Sequence, residues 1–296
     1  MQGFVIPVPQ KYEQIAIANI KSIRNKFKID TPVEIWEAGS EISDAAREEF
    51  KKMENIIFRN VSEYTDDLKH WKGFQIKAFA AYYTSFDEFI VCDSDIQFFQ
   101  NPLTMFNDVQ YKETGCFFFR DLKWYFYNLN KEKNPKDKFS SKEHYLDRCK
   151  WLRKILPEPG PYFPKEWLCM YEEKVPDSKI LEAYMEAGVM YYNKEKMQKA
   201  LKIAFDLNDN HEETYKYVWG DKETWWLACC INGQPFGMNK KVPVLHPPLT
   251  HYYKGKRYFM QKEFVFKDAL VHYLKLPLRK IKNLLTGNPG YNQFYV

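Results

Sequence analysis

The chain has 296 residues, 45% apolar and 28% charged, which is ordinary for a globular protein with a substantial core and demands no more than one domain over 1–296. No apolar run reaches the roughly 18 to 20 residues of a membrane span. A net charge of +5, with lysines and arginines dispersed along the chain, gives no electrostatic footprint for nucleic acid.

Aromatic residues are high at 18%, and many of the 21 tyrosines and 8 tryptophans lie in polar neighbourhoods, where a ring can stack on a sugar or base. A tyrosine-rich surface without function accounts for them equally well. The six cysteines (Cys92, Cys116, Cys149, Cys169, Cys229, Cys230) have neither CxxC nor zinc spacing and read as free thiols. The N-terminus has no signal-peptide pattern, so a cytoplasmic location is expected, with the Golgi lumen as the alternative if an N-terminal anchor has been removed.

Along the chain, Gly3 to Val8 is a short apolar strand stopped by prolines. Tyr12 to Phe27 follows as a helix with Ile15, Ile23 and Phe27 on one face. Pro32 to Gly39 reads as a strand, Ser43 to Met53 as a helix with a serine start, and Asn55 to Asn60 as a third strand. A helix over Lys72 to Tyr83 places Phe74, Ala78 and Ala81 inward, before the continuous apolar run Phe89 to Cys92, a strand buried on both faces. This alternation predicts an α/β fold with a mostly parallel central sheet flanked by helices and ligands at the carboxyl ends of its strands.

After the strand Gly115 to Phe119 the pattern breaks into an aromatic-rich insertion over about 121–180. Regularity returns with a strand at Ala187 to Asn193 and helices at Lys194 to Leu207 and Asp221 to Ile231. The basic tail of about 261–286 reads as amphipathic helix, packed on the domain or in peripheral contact with a membrane.

Asp93-Ser94-Asp95 directly follows the buried strand. Two carboxylates one residue apart at a strand terminus suit a hard divalent cation, Mn²⁺ or Mg²⁺, bridging a diphosphate, although aspartate pairs also cap helices. In Thr250 to Lys256, His251 is a candidate third metal ligand, Gly255 permits close backbone approach to phosphate, and Lys254 and Lys256 add positive charge. Asp221, opening a helix, and Glu186-Ala187-Gly188, entering a strand, are further candidates; a cap and a bulge explain them as simply.

Seven segments in this order resemble the fungal-type α-mannosyltransferases of glycosyltransferase family 71: GFVIPV, PVEIWEAGSEIS, GFQIKAFAAYYTSFDEFIVCDSDIQFFQNPLTMF, GCFFFRD, EAGVMYYNKEKMQKAL, GDKETWWLAC and HPPLTHYYKG. The run His251 to Lys256 is also similar to a metal-and-phosphate loop of the glycogenin-like family 8. The resemblance implies a GT-A fold, GDP-mannose as donor, Mn²⁺ and retention of configuration at the transferred sugar. By position it implies Asp93, Asp95 and His251 as metal ligands and Lys77 on the nucleotide or its phosphates. Gly188 and Glu186 would border the donor sugar, and Asp221 would sit at its hydroxyls or anomeric carbon.

Glu186 and Asp221 are the motif carboxylates able to act as a nucleophile; front-face attack, in which the leaving phosphate accepts the proton, is the favoured route. The partners implied are a nucleotide sugar and a glycan or glycoconjugate acceptor. Trp124, Tyr125, Trp151 and Trp167 are candidates for an acceptor wall, with core packing the competing account. A UDP-sugar-dependent transferase keeps the same residues, and an inactive sugar-binding protein keeps the fold.

Overall fold

The computed structural model describes residues 1–122, 125–127, 141–172, 181–245 and 249–261. The first half alternates as the apolar pattern predicts. Strand β1 (Gln2–Pro7) leads to α1 (Glu13–Phe27), β2 (Val33–Glu37), α2 (Asp44–Lys51), β3 (Ile56–Asn60), α3 (Ile76–Tyr83) and β4 (Glu88–Cys92). Ser43 starts α2 as expected, its side chain accepting a hydrogen bond from Ala46 N–H. The chain continues through β5 (Ile96–Phe98), α4 (Val109–Thr114), β6 (Cys116–Arg120), β7 (Tyr125–Tyr127) and α5 (Lys142–Ile155). It then forms β8 (Leu181–Glu182), β9 (Met185–Asn193), α6 (Lys194–Asp209), α7 (His211–Thr214), α8 (Thr224–Ile231) and β10 (Gly237–Asn239). Short strands β11 (Val244–Leu245), β12 (Leu249–Tyr253) and β13 (Lys256–Gln261) close the described chain.

The central sheet has the order β10-β6-β9-β4-β1-β2-β3, and β9 alone runs antiparallel to its neighbours. Alternate residues of each strand serve opposite faces. Val5, Phe89, Val91, Met190 and Tyr192 join one core with α3, α5, α6 and α8, while Phe4, Ile6, Ile90, Val189 and Tyr191 join the other with α1 and α2. Because β4 and β6 run parallel with β9 between them, the C-terminal ends of β4 and β6 and the N-terminal end of β9 meet at one edge.

Several expectations are corrected. The buried stripe of α1 is Ala16, Ile17, Ile20 and Ile23, not the face of Ile15 and Phe27. Phe74 precedes α3 and is 59% exposed rather than inward. Within the insertion, Trp151 stacks on Tyr217 and Trp167 meets Trp226 edge-on, both buried in the core, so core packing is their role and not an acceptor wall. Trp124 and the tail beyond Gln261 lie outside the described residues. A second sheet, β11-β12-β13-β5, was not foreseen; it lays β13 between the His251 strand and the segment after Asp95.

Candidate active site

Ser94 fixes the Asp93-Ser94-Asp95 turn. Its hydroxyl donates to Pro7 O at 2.8 Å, and its carbonyl accepts from Asn19 Nδ2 at 2.6 Å. With the central residue anchored inward, Asp93 and Asp95 remain half-buried on either side of it. Asp93 N–H donates to Gly188 O at 2.9 Å, which ties the turn to β9.

Beneath this turn Lys77, on α3, is buried with its ammonium 3.1 Å from Asp93 Oδ1, 3.2 Å from Asp221 Oδ2 and 3.2 Å from Ala187 O. Burial works against its charge, but Asp221 and Asp93 outweigh that and raise its pKa. Asp221 also accepts from Trp225 Nε1 at 3.0 Å. Burial raises the pKa of Asp93, with Lys77 opposing; at 35% exposed, its side chain is the open member of this triad, whereas that of Asp221 is 2% exposed.

A second lysine repeats the arrangement: Lys222 joins the expected Glu186 to Asp121, and neither Lys222 nor Asp121 had an assigned role. Lys222 Nζ lies 2.8 Å from Asp121 Oδ2 and 2.9 Å from Glu186 Oε2. Glu186 also accepts from Gly188 N–H at 3.0 Å and from Gln261. Burial disfavours both charges. Lys222 and the richer donor set hold Glu186 below the usual carboxylate range, while Asp121, whose further donor is Leu122 N–H at 2.6 Å, is raised. Asp121 was legible in retrospect: it follows the buried run Cys116 to Arg120 as Asp93 follows Phe89 to Cys92.

His251 is fully buried on β12, stacked on Phe259 with ring centroids 4.2 Å apart. Neither ring nitrogen has a hydrogen-bond partner among the described residues. Burial pushes the imidazole down to about 4, with Glu186 opposing and Lys222 adding to the shift. It is therefore neutral at pH 7, the form that ligates metal. The donor chemistry of Asp93, Asp95 and this orphaned imidazole fits a divalent cation. Among the described residues, however, no three potential ligands stand within reach of a single ion, and the side chain of Asp93 is held by Lys77.

The structure does not bring Lys254, Gly255 and Lys256 to this cluster. They form the tip of the β12–β13 hairpin, with Tyr253 paired to Lys256 across a two-residue turn. Lys254 and Gly255 have φ of 46° and 79°, as such a turn requires, so its geometry explains the glycine. At the other end of β13, Gln261 pairs with Ile96, five residues or about 17 Å from Lys256. Lys254 Nζ instead meets Asp108 Oδ2 at 2.8 Å.

All six cysteines are free. Among the described residues no helix is long and apolar enough to cross a membrane.

The family model described as "Mannosyltransferase putative" matches residues 1–268. The chain is 31% identical over 173 residues to "Putative alpha-1,3-mannosyltransferase MNN12" of Candida albicans, covering 58% of this chain and 19% of that relative. It is 22% identical over 262 residues to "Alpha-1,3-mannosyltransferase MNT3" of Saccharomyces cerevisiae, covering 80% and 39%. The chain thus spans a minor part of the length of these relatives. Core-mannan synthase A (CmsA/Ktr4) from Aspergillus fumigatus, solved in a Mn/GDP form, shares the fold with a TM-score of 0.52 at 10% identity, over 87% of this chain and 80% of that one. A central, mostly parallel sheet with carboxylates at its carboxyl edge, and a family match over nearly its whole length, establish that the chain has a GT-A glycosyltransferase fold and belongs to this mannosyltransferase family.

Proposed function

We propose that the chain transfers mannose from GDP-mannose to a glycan hydroxyl with retention, using the carboxyl edge of the sheet as the donor site. The observation that carries this reading is the pair of lysine bridges, Asp93–Lys77–Asp221 and Asp121–Lys222–Glu186, which hold four carboxylates from separate segments at one edge. Mannosyltransferase relatives and a fold neighbour in a Mn/GDP form support the donor and the metal.

Asp93, Asp95 and His251 are the residues that would hold Mn²⁺ or Mg²⁺. A cation there would supply Lewis-acid charge against the leaving diphosphate. Lys77 bridges and orients Asp93 and Asp221; its ammonium lies where positive charge also favours an approaching phosphate. Asp221, Glu186 and Asp121 present carboxylate oxygens suited to sugar hydroxyls. Gly188 is required there by packing, since a Cβ would stand 2.5 Å from Gln261 Nε2 and 3.2 Å from Ile96 Cδ1. No carboxylate in the set lacks a lysine or N–H partner, which favours front-face transfer with the leaving phosphate taking the acceptor proton over a carboxylate nucleophile.

A panel of nucleotide sugars with Mn²⁺, scored for donor hydrolysis, tests this reading. Selective turnover of GDP-mannose is expected. Preference for a UDP-sugar would move the donor assignment, and no turnover of any donor would remove the enzymatic reading.

A further inference from the structure

Phe74 and Trp219 are the two most exposed aromatic side chains among the described residues, at 59% and 55%. They are 145 positions apart in the sequence, yet both stand at the donor site. Phe74 O accepts from Lys77 N–H at 3.2 Å, in the turn that carries the bridging lysine, and Trp219 is two residues before Asp221. Gly220 joins them: a Cβ on it would lie 3.0 Å from the Phe74 ring, and its φ of 61° turns the chain between Trp219 and the buried Asp221.

Resting on the donor assignment above, we propose that Phe74 and Trp219 form the stacking floor for the acceptor's terminal sugar. Two large apolar rings exposed side by side over the Lys77–Asp221 bridge mark a binding surface rather than a core. A pyranose matches this one in chemistry: its C–H face lies on a ring, while its hydroxyls face the half-exposed Asp93 side of the bridge. Continuity with the Lys77–Asp221 bridge brings such a sugar to the donor, as transfer requires. The rings so placed replace the buried Trp151 and Trp167 as the acceptor surface.

The test uses the whole chain with GDP-mannose, Mn²⁺ and a panel of methyl glycosides, methyl α-mannopyranoside first, measuring transfer to the glycoside and hydrolysis by water. Trp219→Ala and Phe74→Ala are expected to raise the acceptor KM at least ten-fold. Donor KM and the hydrolysis rate should stay within two-fold, and Trp219→Phe should recover most of the loss. Both side chains are exposed, so unchanged melting of the variants serves as the folding control. An unmoved acceptor KM would overturn the proposal, as would an equal rise in donor KM, which would assign the rings to the nucleotide base. A wild type that hydrolyses donor but is saturated by no glycoside would overturn it too, since a stacking floor reads the ring more than its substituents. A wild type inert toward every nucleotide sugar would instead remove the donor assignment itself.

Discussion

Lys77 Nζ stands 3.2 Å from Asp221 Oδ2, so a helix from the first half of the chain is bonded to the segment that opens α8. The same ammonium holds Asp93, and the proposed donor site therefore depends on one buried cation serving two carboxylates. Lys77→Met would leave both without their countercharge. Breaking a buried ion pair from one side costs about 3–5 kcal/mol. We expect a loss of that order in urea denaturation, together with loss of donor turnover. The double variant Lys77→Met with Asp221→Asn should regain part of the stability and none of the turnover.

Lys222 has a similar role toward Asp121 and Glu186, with a different pH signature. In Lys222→Met the two buried carboxylates face each other without a cation, and their folded pKa values rise above the unfolded ones. Groups shifted in that direction cost stability as pH rises through the folded pKa. The deficit relative to wild type should therefore be larger at pH 8 than at pH 5; a deficit independent of pH would contradict this pairing.

His251 gives a second pH window. Its folded pKa of about 4 lies below the ordinary 6.5, so between these values the unfolded chain binds the extra proton. Stability from this group is complete above pH 6.5, falls as pH drops toward 4, and is level below that. Such a displacement of the pKa corresponds to about 3 kcal/mol. In metal-free protein, the stability of wild type minus that of His251→Phe should fall as pH drops from 6.5 to 4 and be flat outside this window.

The hairpin tip separates turn geometry from phosphate chemistry. Lys254→Ala and Lys256→Ala should leave donor KM within about two-fold, because Lys256 lies about 17 Å along β13 from Gln261 and Lys254 sits in the turn that precedes it. Gly255→Ala, forced to positive φ, should cost about 1 kcal/mol in stability without a specific effect on donor binding. A ten-fold rise in donor KM in either lysine variant would return this loop to the phosphates.

That hairpin also shows where sequence reading ends. Lys-Gly is what a tight turn and a phosphate loop both require, and only strand register tells them apart. The β/α alternation, the Ser43 cap and the buried β4 run before Asp93 were legible because each is a local pattern with a single physical cause. The second sheet was not, since strands of two to six residues carry too little alternation. Lys222 passed unassigned because it sat inside a plausible helix start; its partners Asp121 and Glu186 come from other strands. Phe74 was placed inward by extending the helical period back beyond Ile76, where the helix begins.

Asp93, Asp95 and His251 are proposed to form a metal-dependent nucleotide site. Its most direct measurement is calorimetric titration of GDP into wild type and Asp95→Asn, each with Mn²⁺ and with chelator. We predict GDP binding to wild type that chelation weakens at least ten-fold, and binding to Asp95→Asn that is weak in both conditions. Equal GDP affinity in all four titrations would contradict the assignment.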